Sequence, residues 1–190
     1  MGYKKYAKDY EIEYVPQPGK KRDRAVRIYV GPYFQFRVSA ERVRLLRWLY
    51  LAGVMTAFFF LLLPMSLNGA LSRIWYVQIP AAAAWIPWVL VAASVWRLWT
   101  AKEKMEREHN DLLGGRMSGA CLFLMILSGI SAAGGVYAMV TTGGTAEDWL
   151  VPGCMICVCV CGALLFARRK ELATVEVENP EKPQGKKHNA

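Results

Sequence analysis

The chain has 190 residues, of which 54% are hydrophobic and 21% charged, and its formal net charge at pH 7 is +9. The hydrophobic share exceeds that of ordinary soluble domains and is concentrated in long uncharged blocks, which argues against a purely soluble protein. The basic stretches contain no recognisable nucleic-acid-binding module, so we expect no nucleic acid partner.

The segment 1–38 comes before the first uncharged block and has the pattern of a small sheet. "YEIEYV" and "AVRIYV" alternate with a period of two residues, and "PQPGKKRDR" between them supplies turn residues. A second break at Gly31-Pro32 leads into "YFQFRV". We therefore predict a small, basic N-terminal β-hairpin or three-stranded element on the cytoplasmic side.

Basic residues cluster at the tip of this hairpin and just before the first uncharged block. They are candidates for contact with anionic lipid headgroups or a partner subunit, at about 1 kcal/mol per residue near a membrane surface. The alternative is that they solvate a turn and satisfy the rule that basic residues stay on the cytoplasmic side. The candidate lipid- or partner-binding residues are Lys20, Lys21, Arg22, Arg24, Arg42, Arg44 and Arg47.

Uncharged blocks of about 20 residues match the thickness of a bilayer core, and we predict one spanning helix for each. The fold class is therefore an all-α integral membrane four-helix bundle, occupying residues 39–170. The predicted spans are residues 48–67, 74–96, 117–140 and 149–167.

The distribution of Lys and Arg predicts the orientation of these spans. Residues 1–47 contain twelve, residues 100–116 four and residues 168–190 six, whereas the remaining short loops share only Arg73. We therefore expect a multi-pass protein of the plasma membrane with both termini in the cytoplasm. The tail, residues 171–190, is polar and contains proline, and we predict that it is disordered.

Short local signals predict where helices begin, bend and end. Ser39 can cap the first helix. Pro80 and Pro87 each remove a backbone donor from the second span and are expected to kink it. The central loop is predicted to be a helical extension of the second span that stops at Gly114-Gly115.

The third span carries small residues at spacings that allow close helix approach. The candidate packing residues are Gly119, Ser128, Ser131, Ala132 and Gly135. The pattern is compatible with packing inside one chain, with a homo-oligomer, or with a partner membrane subunit.

The predicted spans contain neither charged side chains nor histidine. Ion-driven transporters usually place an ionisable residue in the membrane, and b-type haem needs histidine ligands, so we expect neither activity. Glu106 and His109 have the spacing found in di-iron bundles, but such sites need two pairs, so no metal is expected. We therefore predict a non-enzymatic accessory, assembly or sensor protein without a cofactor.

Four of the five cysteines lie in "CMICVCVC" of the fourth span. At helical spacing Cys159 points nearly opposite to the others, which excludes a four-thiolate zinc site and favours thiols that act as small packing residues. The alternative is a redox pair, because a Cys154-x-x-Cys157 motif near the outer end of a late helix resembles the vitamin K epoxide reductase family. That resemblance implies catalytic Cys154 and Cys157 and a quinone cofactor. The family's second cysteine pair, in an extracytoplasmic loop, has no counterpart here.

Overall fold

The computed structural model describes residues 6–15, 24–66, 74–101, 104–143 and 145–177. Within these residues, four helices are long and apolar enough to cross a membrane, which confirms the predicted four apolar helices. The first is α1 (Ala40–Ser66), and the second consists of α2 (Trp75–Ala83) and α3 (Trp85–Thr100). A short α4 (Arg107–Asp111) precedes the third, α5 (Met117–Thr142), and the fourth is α6 (Leu150–Ala167).

Polar groups at the helix ends show why these helices begin and end where they do. The Arg42 amide donates to Ser39 Oγ at 3.4 Å, so Ser39 caps α1 as predicted. Gly143 ends α5 in the left-handed conformation (φ 65°), and its amide donates to the Met139 carbonyl. Thr145 and Asp148 then form a capping box on the 3-10 turn that leads into α6.

The second span is broken at Ala84, between the two prolines predicted to kink it. Pro87 has no backbone N–H, so the carbonyl of Ala83 cannot receive its helical hydrogen bond. The two pieces keep their apolar faces in the bundle, with Val77 of α2 and Val91 of α3 each 1% exposed. The result is a local interruption within one continuous crossing.

The prediction that Gly114-Gly115 ends a helix is wrong. The second span ends at Thr100, and both glycines lie in a π-helical turn (Leu112–Arg116) that joins α4 to α5 without a break. Each glycine disfavours a helix by about 1 kcal/mol. Burial of Leu113 (4% exposed) and Met117 (2% exposed) on either side outweighs that preference.

The helices pack with α5 against α6, α2 and α3, and with α1 against α6 and α3. One hydrogen bond between helices joins Ser131 Oγ to the Val77 carbonyl at 2.8 Å. Another joins Tyr50 Oη to the Leu165 carbonyl at 2.9 Å. Both serve backbone carbonyls inside an apolar bundle, where no water is available to replace them.

Two small antiparallel strand pairs complete the fold. Strand β1 (Tyr10–Val15) pairs with β2 (Arg24–Tyr29), as the alternating pattern predicts. Strand β3 (Tyr33–Phe36) pairs with β4 (Thr174–Val177) rather than with β2. The predicted three-stranded N-terminal element is therefore wrong in its third strand. The predicted disordered tail is wrong for residues 171–177, and its remainder lies outside the described residues.

The two strand pairs lie at one end of the bundle together with residues 104–111, which we call the central segment. Phe34 and Met105 exchange two backbone hydrogen bonds of 2.8 Å, so the central segment borders β3 on the side away from β4. Thr174 Oγ1 donates to Asn110 Oδ1 at 2.8 Å. These contacts join three segments that are distant in sequence into one element outside the four long apolar helices.

Candidate functional site

The basic residues predicted to bind lipid or a partner have different surroundings in the structure. Lys20, Lys21 and Arg22 lie outside the described residues, and Arg24 is the first residue of β2, opposite Val15. Arg42 donates to Glu171 Oε2 at 2.9 Å, and Arg168 donates to the other oxygen of the same carboxylate at 2.6 Å. Arg42 therefore attaches the C-terminal turn to the start of α1.

Arg44 and Arg47 line a cleft of about 360 Å³ together with two tryptophans, and we call it the tryptophan cleft. Its lining residues are Ala40, Arg44, Arg47, Trp48 and Trp99. The rings of Trp48 and Trp99 meet edge to face with centroids 5.0 Å apart. The cleft therefore combines two cations with an aromatic pair, and tryptophan is a residue type enriched at boundaries between membrane and water.

Arg47 is held in place by the backbone of the neighbouring span. Its Nη2 donates to the Ala101 carbonyl at 2.7 Å, just beyond the end of α3. Its Nε is buried and has no hydrogen-bond partner among the described residues. A guanidinium has five N–H donors, so a fixed Arg47 keeps further donors for an anion.

A second cleft of about 380 Å³ shares Ala40 and Arg47 with the tryptophan cleft, and we call it the glutamine cleft. Its lining residues are Gln35, Phe36, Val38, Ala40, Val43, Arg47 and Ala101. None of the described residues lining either cleft is acidic. Arg47 therefore borders two adjoining clefts whose charged groups, among the described lining residues, are all cations.

Tyrosine hydroxyls attach the first strand pair to the central segment. Tyr10 Oη donates to Glu106 Oε2 at 2.6 Å, and this hydrogen bond, with burial, raises the pKa of Tyr10 above its ordinary value. Tyr29 Oη donates to the Pro32 carbonyl and accepts from the Arg107 amide at 2.9 Å. Burial raises the pKa of Tyr29 as well, so both phenols remain protonated donors at neutral pH.

The candidate packing residues of α5 fall into two groups. Ser128, Ser131, Ala132 and Gly135 are buried, and a Cβ added at Gly135 would lie 3.1 Å from the ring of Pro152 in α6. A Cβ at Gly119 would meet nothing within 4 Å among the described residues. Gly119 is therefore not at a close helix contact with any described part of the chain.

Cys154 and Cys157 lie inside an uninterrupted part of α6, four and seven residues after its start at Leu150. Cys154 is buried, Cys157 is half-buried, and both are free thiols. The helix does not begin at Pro152 and Gly153, because the preceding 3-10 turn runs directly into α6 at Leu150. Cys159 points away from Cys154 and Cys157, and its Sγ lies 3.6 Å from the Met125 carbonyl oxygen of α5.

Glu106 and His109, which have the spacing found in di-iron bundles, contact different partners in the structure. Glu106 accepts the Tyr10 hydroxyl, whereas His109 Nε2 lies 3.1 Å from the Arg97 carbonyl. In the part of the chain that the structure describes, no group of three or more His, Cys, Asp or Glu side chains could hold a metal ion.

Sequence reasoning identified part of the two clefts. Arg44 and Arg47 were among the predicted candidate residues, but nothing in the sequence pointed to Gln35 or Ala101. Gln35 is positioned by the pairing of β3 with β4, and Ala101 by the hydrogen bond from Arg47. No protein-family model, curated protein sequence or solved structure matches the chain, so the functional conclusion rests on its own residues.

Proposed function

We propose that the chain is a multi-pass membrane protein of the accessory, assembly or sensor type whose basic cytoplasmic element binds anionic lipid headgroups. The tryptophan cleft carries this proposal, since it places two guanidinium groups next to an interfacial pair of tryptophans. Arginine can bind a phosphate through two parallel hydrogen bonds, and tryptophan suits the headgroup region beside it.

The charge distribution supports a cytoplasmic location for this cleft. Residues 1–47, 100–116 and 168–190 hold 12, 4 and 6 of the 24 Lys and Arg residues. Described parts of these three segments contact one another at a single end of the bundle. Basic flanks stay on the cytoplasmic side during insertion, and the inner leaflet is the one rich in anionic lipids.

An accessory, assembly or sensor role fits what the spans contain. The predicted spans contain no Asp, Glu, Lys, Arg or His. An intramembrane charge is the usual mark of an ion-coupled transporter. The element outside the four long apolar helices, by contrast, is built from all three basic segments, so a ligand bound there would contact the ends of α1 and α3 together.

The proposal is tested by counting the anionic lipids that the purified protein retains in native mass spectrometry. Replacing Arg44 with Gln removes one cation from the cleft while leaving the Arg47 contact to Ala101 in place. At about 1 kcal/mol for one basic residue, retention of phosphatidylglycerol should fall about fivefold.

The matched control is Arg37→Gln, which removes the same charge at the same end of the molecule. Arg37 is exposed, it does not line either cleft, and its backbone amide donates to the Ala173 carbonyl. We expect this variant to retain lipid nearly as well as the unmodified chain. Equal losses in both variants would show that only net charge matters, and the cleft would not be the binding site.

A further inference from the structure

The glutamine cleft adjoins the tryptophan cleft, so one lipid headgroup could occupy both, with its phosphate and its polar substituent in different clefts. Both clefts include Ala40 and Arg47, so a phosphate bound by Arg44 and Arg47 would lie at the border between the two. A phospholipid headgroup continues from its phosphate into a polar substituent. The glutamine cleft, of about 380 Å³, is the space into which that substituent would extend.

The lining of the glutamine cleft favours hydroxyl groups. Besides Arg47, its polar side chain is the amide of Gln35, which can both donate and accept hydrogen bonds. Gln35 is exposed, and its backbone is held by antiparallel pairing with Val175. A hydroxyl also donates and accepts, so it can satisfy the amide in either orientation.

The same lining disfavours a headgroup that carries an ammonium group. None of the described lining residues is acidic, and an ammonium in this cleft would lie beside the Arg47 guanidinium. Like charges brought together lower affinity and are a common source of selectivity. A serine headgroup has the same net charge as a glycerol headgroup because its carboxylate offsets its ammonium. The carboxylate could pair with Arg47, but the ammonium would then have no acidic partner among the described lining residues.

We infer that the two clefts together select a phosphodiester with a neutral polyol substituent, of which phosphatidylglycerol is the simplest lipid. The inference rests on the proposed lipid function and specifies its ligand. Arg44 and Arg47 bind the phosphate, the tryptophan pair contacts the adjoining glycerol backbone and upper acyl chain, and Gln35 binds the hydroxyl groups of the substituent.

The experiment is a competition between phosphatidylglycerol and phosphatidylserine, equimolar and with identical acyl chains, read as the ratio of the two lipids bound in native mass spectrometry. One net hydrogen bond corresponds to about a fivefold preference, so the unmodified chain should retain about five phosphatidylglycerol molecules per phosphatidylserine. Gln35→Leu loses this hydrogen bond but keeps Arg47 beside the ammonium, so the ratio should fall clearly while staying above one. The matched control Gln78→Leu, in α2 and away from both clefts, should leave it unchanged.

A second variant separates recognition from a loss of folding. Gln35→Glu introduces a carboxylate that can accept a hydrogen bond from the serine ammonium. This variant should therefore lower the ratio of phosphatidylglycerol to phosphatidylserine while serine lipid is still retained. A ratio near one in the unmodified chain, or a ratio that Gln35→Leu does not change, would overturn the inference. Either result would leave the proposed function standing if Arg44→Gln still lowers total anionic lipid retention.

The lipid source of the ligand is tested with soluble glycerophosphoglycerol, which has the same phosphodiester and hydroxyl groups but no acyl chains. A millimolar excess should not displace bound phosphatidylglycerol if the chains and the tryptophan pair contribute to binding. Displacement at that concentration would contradict the lipid assignment and identify a free polyol phosphodiester as the ligand.

Discussion

The hydroxyl of Tyr50 gives a direct test of how the bundle is held together. Tyr50 is fully buried in α1, and its Oη donates to the Leu165 carbonyl of α6 at 2.9 Å. Leu165 lies in the last turn of α6. Tyr50 therefore joins the end of α6 to α1 through a buried hydrogen bond.

Replacing Tyr50 with Phe removes this hydrogen bond and almost no volume. A cavity contribution is therefore absent, and the expected loss is that of one net hydrogen bond, about 0.5–1.5 kcal/mol. Hydrogen bonds between membrane helices average about 0.6 kcal/mol and reach about 1.7 kcal/mol. Because the Leu165 carbonyl would lose this partner, we expect a loss of about 1 kcal/mol in the free energy of unfolding.

The assay is reversible unfolding in mixed micelles, with Tyr137→Phe as the matched control. Tyr137 is 63% exposed on α5, so removing its hydroxyl should change stability by less than about 0.5 kcal/mol. Equal stabilities for the two variants would refute the role assigned to the Tyr50 hydroxyl. A loss above about 3 kcal/mol for Tyr50→Phe would also refute it, since that size indicates disrupted packing.

Three further predictions concern packing, the tail and the thiols. Gly135→Val should destabilise the bundle by about 1–3 kcal/mol more than Gly119→Val, because only Gly135 faces a rigid proline ring; equal losses in micelle unfolding would contradict this. A chain ending at Leu172 lacks β4 and should be cleaved by trypsin near β3 faster than the full chain, whereas an unchanged rate would show that the pairing is dispensable. Cys154 and Cys157 should resist a membrane-impermeant alkylating reagent before and after mild reduction. Labelling that appears only after reduction, and is lost in Cys154→Ser, would favour the redox alternative.

The four long apolar helices were predictable because the physical constraint on them is local in sequence. A backbone that crosses lipid must satisfy its own hydrogen bonds, so about 20 uncharged residues in a row indicate a helix with little ambiguity. The same applies to the Ser39 cap and to the hairpin of β1 and β2, in which the signal lies within a few residues of the element itself.

The pairing of β3 with β4 was not predictable on the same grounds. Alternation identifies a strand but does not name its partner, and Thr174 lies more than a hundred residues after Phe36. The prediction that Gly114-Gly115 ends a helix failed for a related reason. The burial of Leu113 and Met117, which keeps this segment helical, depends on helices that are distant in sequence. The glutamine cleft depends on the β3–β4 pairing and on the contact of Arg47 with Ala101, so Gln35 could not be recognised from the sequence.

Membrane topology is the property on which lipid binding by the two clefts most depends, and reporter fusions measure it directly. A reporter that is active only in the cytoplasm should give signal when fused at Ala190 and none when inserted within residues 141–148. That result would place Arg44, Arg47 and the associated strand pairs at the inner leaflet. Signal from the insertion and none from Ala190 would place them on the outer side and contradict the proposed function.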